Sequence, residues 1–84
     1  MTQLINETVT VNAFYFRGGQ TMKTFPRRME WDGRLVTFAE AGLRMLVKHG
    51  EQLVQLFDMT DGDTTYRLKR EGSDWTLVGT KAGV

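Results

Sequence analysis

Residues 25–38 read Phe-Pro-Arg-Arg-Met-Glu-Trp-Asp-Gly-Arg-Leu-Val-Thr-Phe, and this stretch decides the fold. Asp32-Gly33 separates two runs rich in aromatic and aliphatic residues. A type I′ turn needs positive φ at both central positions, which Asp and Gly adopt at low cost. With those two as the loop, Trp31 faces Arg34, Met29 faces Val36 and Arg27 faces Phe38, because side chains alternate with period two. Met29, Trp31, Val36 and Phe38 then form one apolar face. Arg28 with Thr37 and Glu30 with Leu35 form a mixed face that water can reach.

Upstream, Thr8 to Phe16 alternates β-favouring residues and is predicted as a strand. Val9, Val11, Ala13 and Tyr15 share one face; Thr8, Thr10, Asn12, Phe14 and Phe16 share the other. Arg17-Gly18-Gly19-Gln20 breaks the run, since two glycines cost strand entropy and permit a turn. Met22 to Phe25 reads as a short strand or an extended link. Pro26 cannot donate to a ladder and belongs at an edge or a strand entry.

Downstream, residues 38–49 support two readings. A helix would run from Glu40 to Gly50, with Lys48 and His49 suited to its last turn. Against it, Gly42 in mid-helix costs about 1 kcal/mol relative to Ala, and Ala39, Ala41, Leu43, Met45 and Val47 alternate as in a strand. The strand reading also pairs productively. If His49-Gly50 turns the chain, Lys48 faces Glu51, Leu46 faces Leu53, Met45 faces Val54, Leu43 faces Leu56, and Gly42 leaves room opposite Phe57. Asp61-Gly62 is a second hairpin signal, pairing Met59 with Thr64, Phe57 with Tyr66 and Gln55 with Leu68. The loop Glu71 to Asp74 pairs Arg70 with Trp75 and Leu68 with Leu77. Trp31–Arg34 and Arg70–Trp75 thus each set a guanidinium beside an indole next to a turn.

These registers share one inner face: Met29, Trp31, Val36, Phe38, Leu46, Leu53, Phe57, Met59, Tyr66, Leu68, Trp75 and Leu77. The expected architecture is all-β, a small antiparallel barrel or roll of five to six strands built from consecutive hairpins, with a short helix within 40–49 as the competing local reading. A single domain spans 7–80, residues 1–6 are a flexible lead-in and 81–84 a frayed tail.

Pro26-Arg27-Arg28-Met29, then Trp31 and Gly33-Arg34, then Tyr66-Arg67-Leu68 and Trp75-Thr76-Leu77, resemble an uncharacterised small bacterial β domain. That family carries a Pro-Arg-Arg, Trp-x-Gly-Arg start and ends in a Tyr-x-Leu strand followed by Trp-x-Leu. The resemblance covers roughly residues 25–80. The chain departs from it at Val36, where an aromatic residue is usual, and in the next strand, where Leu and Met stand in place of a second tryptophan. Members stand alone or occur alongside proteins of the translesion DNA polymerase type. The resemblance implies a small β domain and a DNA-repair setting, and it assigns no residue a role.

With 84 residues the chain is one domain, of which roughly 60 to 65% of the unfolded surface can be buried. Cysteine is absent, which excludes disulfides and thiolate zinc sites and suits a reducing cytoplasm. No stretch approaches the roughly 20 apolar residues of a membrane span. Catalytic constellations are missing. His49 is the one histidine and Ser73 the one serine, so neither a Ser-His-Asp set nor a histidine metal site can be assembled. Asp58, Asp61 and Asp63 do not have the spacing of a calcium loop, and Asp is what hairpin turns recruit. Gly18-Gly19 lacks the lysine pattern and following helix of a phosphate cradle. The expectation is a non-enzymatic cytoplasmic protein with no cofactor, metal, small-molecule substrate or membrane partner.

Two surfaces remain. Leu43, Met45, Val47, Val54 and Leu56 fall on the face away from the core, and five neighbouring apolar side chains suit a homodimer or a protein partner. The alternative is nucleic acid. Arg17, Lys23, Arg27, Arg28 and Arg34 interleave with Phe14, Phe16, Phe25 and Trp31 over segment 17–34, a composition that tracks phosphates and stacks bases. The formal net charge of the whole chain is only +1, and intramolecular cover of the apolar patch by Leu4 and Ile5 is the competing structural explanation.

Overall fold

A computed structural model describes residues 2–18, 23–39 and 42–83. They form seven strands: β1 (Thr2–Arg17), β2 (Lys23–Trp31), β3 (Arg34–Thr37), β4 (Leu43–His49), β5 (Gln52–Thr60), β6 (Thr64–Glu71) and β7 (Asp74–Ala82). All pair antiparallel in one sheet of order β3-β2-β1-β7-β6-β5-β4. The all-β expectation holds. The strand number is seven rather than five or six, and the sheet is not closed into a barrel.

The hairpin around Asp32-Gly33 has the predicted register, with Trp31 opposite Arg34 and Met29 opposite Val36. Asp32 (φ 53°) and Gly33 (φ 73°) both take positive φ, as a type I′ turn requires. Met29 and Phe38 are fully buried, and Trp31 and Val36 pack against the same core.

Residues 43–49 are a strand, and the helical alternative is overturned there; Glu40 and Ala41 lie outside the described residues. The β4–β5 hairpin is nevertheless slipped by two positions from expectation. Gly50-Glu51 is the loop, so His49 faces Gln52, Met45 faces Leu56 and Arg44 faces Phe57. Gly50 carries positive φ (64°) at the first loop position, the place a II′ turn reserves for glycine. The β5–β6 hairpin is slipped in the same way, with Met59 opposite Tyr66 and Phe57 opposite Leu68. Here Asp61 does not enter the left-handed region. Its Oδ1 accepts the amide N–H of Asp63 (2.9 Å) and of Thr64 (2.8 Å), which widens the loop. The last hairpin matches its predicted pairs, Arg70 with Trp75 and Leu68 with Leu77.

A slip of two preserves which face a side chain occupies. The inner face is therefore largely as expected: Phe57, Met59, Tyr66, Leu68, Trp75 and Leu77 are buried beside Met29 and Phe38. Leu46 (56% exposed) and Leu53 (65% exposed) are corrections. The β5–β6 ladder starts at Gln55–Arg70, so the tip of the β4–β5 hairpin overhangs the Gly72-Ser73 turn, where there is no sheet to pack against. Val9 and Phe25 join the core instead. The edge-to-face contact of Phe25 with Phe57 (6.0 Å between centroids) ties β2 to β5.

Residues 2–6 and 81–82 also differ from expectation. Thr2 pairs with Lys81 and Leu4 with Gly79, so residues 2–6 and 81–82 belong to the sheet. In β1 the simple alternation fails, because register shifts at Val11/Ala13 and Ala13/Phe14 bend the strand. Phe14 and Tyr15 consequently both pack on the core.

β3 and β4 are the two edges of the sheet, yet only residues 38–42 join them, so the sheet must roll until its edges approach. Phe38 sits at that seam. Its N–H donates to the Arg27 carbonyl of β2, while the next residue, Ala39, donates to the Thr60 carbonyl of β5, both at 2.8 Å. The Tyr15 hydroxyl caps the seam by donating to the Phe38 carbonyl at 2.7 Å.

Candidate functional site

The β4–β5 hairpin presents the first surface. Met45 lies opposite Leu56 and Val47 opposite Val54, on the face away from Phe57, and Leu43 shares that face beside Asp58. The five residues singled out from sequence thus come together on one surface. Val54 is buried, Met45 and Leu56 are half-buried, and Leu43 and Val47 are exposed (68% and 42%). Cover by Leu4 does not occur: Leu4 is 76% exposed on β1, and Ile5 packs on the inner core.

The same face continues across the sheet. Leu43, Asp58, Arg67, Gly79 and Leu4 are successive register partners from β4 to β1. A hollow of about 530 Å³ opens along this row, lined by Leu4, Asp58, Arg67, Gly79 and Lys81 among others. Gly79 forms its floor, and a Cβ there would come within 2.6 Å of the Gln3 carbonyl. Asp58 and Arg67 make a bidentate pair across it, Nε to Oδ1 at 2.8 Å and Nη2 to Oδ2 at 2.9 Å. Through those bonds Asp58 holds the Arg67 guanidinium above its ordinary pKa. Leu4 reaches this face through the pairing of β1 with β7, at the far end of the row from Leu43.

The basic residues do not assemble into one surface. Arg17 faces Lys23 at one end of the β1–β2 ladder, beside the 69% exposed Phe16. Arg34 stands opposite Trp31, eight residues along β2, roughly 26 Å away at the rise of a strand. Between them Arg27 lies over the Tyr15 ring (5.4 Å) and Arg34 over the Trp31 ring (4.9 Å), so each covers an aromatic residue of the fold. Arg28 points to the opposite face of β2 from Arg27, and its Nε is buried with no hydrogen-bond partner. The second predicted indole pair, Arg70 over Trp75, is present at 5.3 Å.

Two acidic residues of the β5–β6 hairpin, Asp58 and Asp61, are committed to structure. Asp58 holds Arg67, and Asp61 accepts from two loop amides and from the Tyr66 hydroxyl (2.9 Å). Burial pushes the Asp61 carboxyl up, but the bonds from Asp63, Thr64 and Tyr66 outweigh it and leave the pKa below the ordinary value. Burial and the same bond to Asp61 raise the pKa of Tyr66. Among the described residues, no three His, Asp or Glu side chains are grouped to hold a metal ion, and no helix is long and apolar enough to cross a membrane.

The chain matches no protein-family model, no curated protein and no solved structure.

Proposed function

We propose that this domain is a non-catalytic interaction module that binds protein, a second copy of itself included, through the outer face of the β4–β5 hairpin. The observation that carries the reading is the placement of Leu43, Met45, Val47, Val54 and Leu56 on one face of a hairpin at the margin of the sheet. Leu43 and Val47 are exposed there and extend the half-buried Met45 and Leu56 into a contact surface, because burying apolar area contributes roughly 25 cal/mol per Å². Sedimentation equilibrium of wild type beside Leu56→Lys tests it. Self-association of wild type that the lysine weakens supports the reading; a monomer in both cases at high concentration removes self-association.

A second reading, nucleic-acid binding, is favoured by one observation. Phe16 is exposed next to the cross-strand pair Arg17–Lys23 at one end of the sheet, the ring on one face and the two cations on the other, so a nucleic-acid strand wrapped around that end would meet both. Fluorescence anisotropy with labelled single- and double-stranded DNA and RNA decides it. Binding that weakens steeply with salt supports the reading, and its absence at low ionic strength ends it.

A further inference from the structure

We infer that two copies of this chain pair antiparallel along β4, edge to edge, with Met45 of one copy facing Met45 of the other. The inference rests on the self-associating reading above and specifies its geometry. β4 is seven residues long, its ladder to β5 runs without a register shift, and its other side has no strand neighbour among the described residues. Natural edge strands are blunted by shortness, bulges or proline. The opposite edge, β3, is only four residues long; β4 is long and unbroken, and its one protection is the charge of Arg44 and Lys48, which a pairing register must keep apart. Its apolar side chains are in water on both faces, Leu43 and Val47 outward and Leu46 on the other side.

Charge and apolar matching together select the register. A two-fold antiparallel pairing that continues the sheet puts residues of the same face opposite one another, so the sum of the facing numbers is even. Centring on Leu46 would set Arg44 against Lys48 twice, and like charges directly opposite are destabilising. Moving the centre to Met45 sets Leu43 against Val47 and Arg44 against Leu46, and Lys48 meets only Gly42. On the outer face apolar then lies on apolar, and neither cation faces another; a centre at Val47 also separates the cations but sets Leu46 against Lys48 and Leu43 against Glu51. A β4–β3 contact would be heterologous and would build rings or fibres rather than a two-fold dimer.

The chain has no cysteine, so single-cysteine variants read the geometry directly. Facing residues of an antiparallel pair have Cα atoms about 4.5 to 5.5 Å apart, inside the range a disulfide spans. Leu56 lies one strand further in on each copy, roughly 14 Å from its mate at about 4.8 Å per strand step. Under mild oxidation Met45→Cys is expected to run at twice the monomer mass on a non-reducing gel, and Leu56→Cys to remain single. Sedimentation of the reduced proteins and of wild type accompanies the gels. Cross-linking through Leu46→Cys in place of Met45→Cys overturns the register. Cross-linking through Leu56→Cys with a dimeric wild type overturns edge pairing but leaves the self-associating module intact, as a face-to-face dimer. Assemblies that grow beyond the dimer overturn the two-fold arrangement. A monomeric wild type overturns both the pairing and the self-association it rests on.

Discussion

The Tyr66 hydroxyl donates to Asp61 Oδ2 at 2.9 Å while the other oxygen of the same carboxylate holds the amides of Asp63 and Thr64, so one side chain locks the β5–β6 loop onto the first residues of β6. The ionised carboxylate is the form these bonds favour. Folding therefore lowers its pKa, and its contribution is present above the unfolded value of about 3.9 and lost as pH falls through the lower folded one. Tyr66 has the opposite sign: its raised pKa gives stability that is complete below about 10 and lost as pH rises through the folded value. Urea titrations of wild type and Asp61→Ala between pH 2 and 7 check the acid limb. The variant is expected to lose about 1 to 2 kcal/mol at pH 7 and to show a flatter fall below pH 4. Equal acid slopes in the two proteins would contradict this account.

Gly42 tests close backbone approach. A Cβ there would collide with the Asp58 carbonyl oxygen and reach Met59 Sδ at 3.3 Å, whereas the space around Gly33 is open. Gly33→Ala meets only the cost of positive φ, about 1 kcal/mol. Gly42→Ala must displace β5 and is expected to cost more than about 2 kcal/mol. Thermal unfolding of the pair ranks them, and a Gly42→Ala protein as stable as Gly33→Ala would show that the strands can separate there freely.

Phe38 closes the roll. It is fully buried against Tyr66 (5.6 Å between centroids), and the backbone bonds on either side of it join β2 and β5. Phe38→Ala is expected to cost about 3 to 5 kcal/mol, most of the stability a small domain holds. Tyr15→Phe, which removes one hydrogen bond to the seam, is expected to cost only about 1 kcal/mol. Denaturant midpoints distinguish the two.

Leu53 and Leu68 look alike in sequence, both apolar positions on the predicted inner face, and the fold separates them. Leu53 is 65% exposed and Leu68 is fully buried. Leu53→Lys is expected to lie within about 0.5 kcal/mol of wild type, and Leu68→Lys to prevent folding. Circular dichroism with urea titration suffices to check it.

The comparison of these two leucines shows where local information ends. Alternation and turn chemistry act within a few residues, so the chain by itself determined the Asp32-Gly33 hairpin, its register, the Arg70–Trp75 pairing, both indole–guanidinium contacts, and the gathering of Leu43, Met45, Val47, Val54 and Leu56 on one face. Gly50 and Asp61 each permit more than one loop, and their choice was made by the whole ladder, since a two-residue slip leaves every side chain on its own face. Only the tertiary structure decided that β1 lies between β2 and β7, which brings Leu4 beside Gly79 and Thr2 beside Lys81. It also decided that the β4–β5 tip overhangs the β6–β7 turn and that the arginines divide between the two faces and ends of β2 and β3. Burial at those places depends on the neighbours that strand order supplies, and contacts between residues distant in the chain carry no period that a local pattern can record.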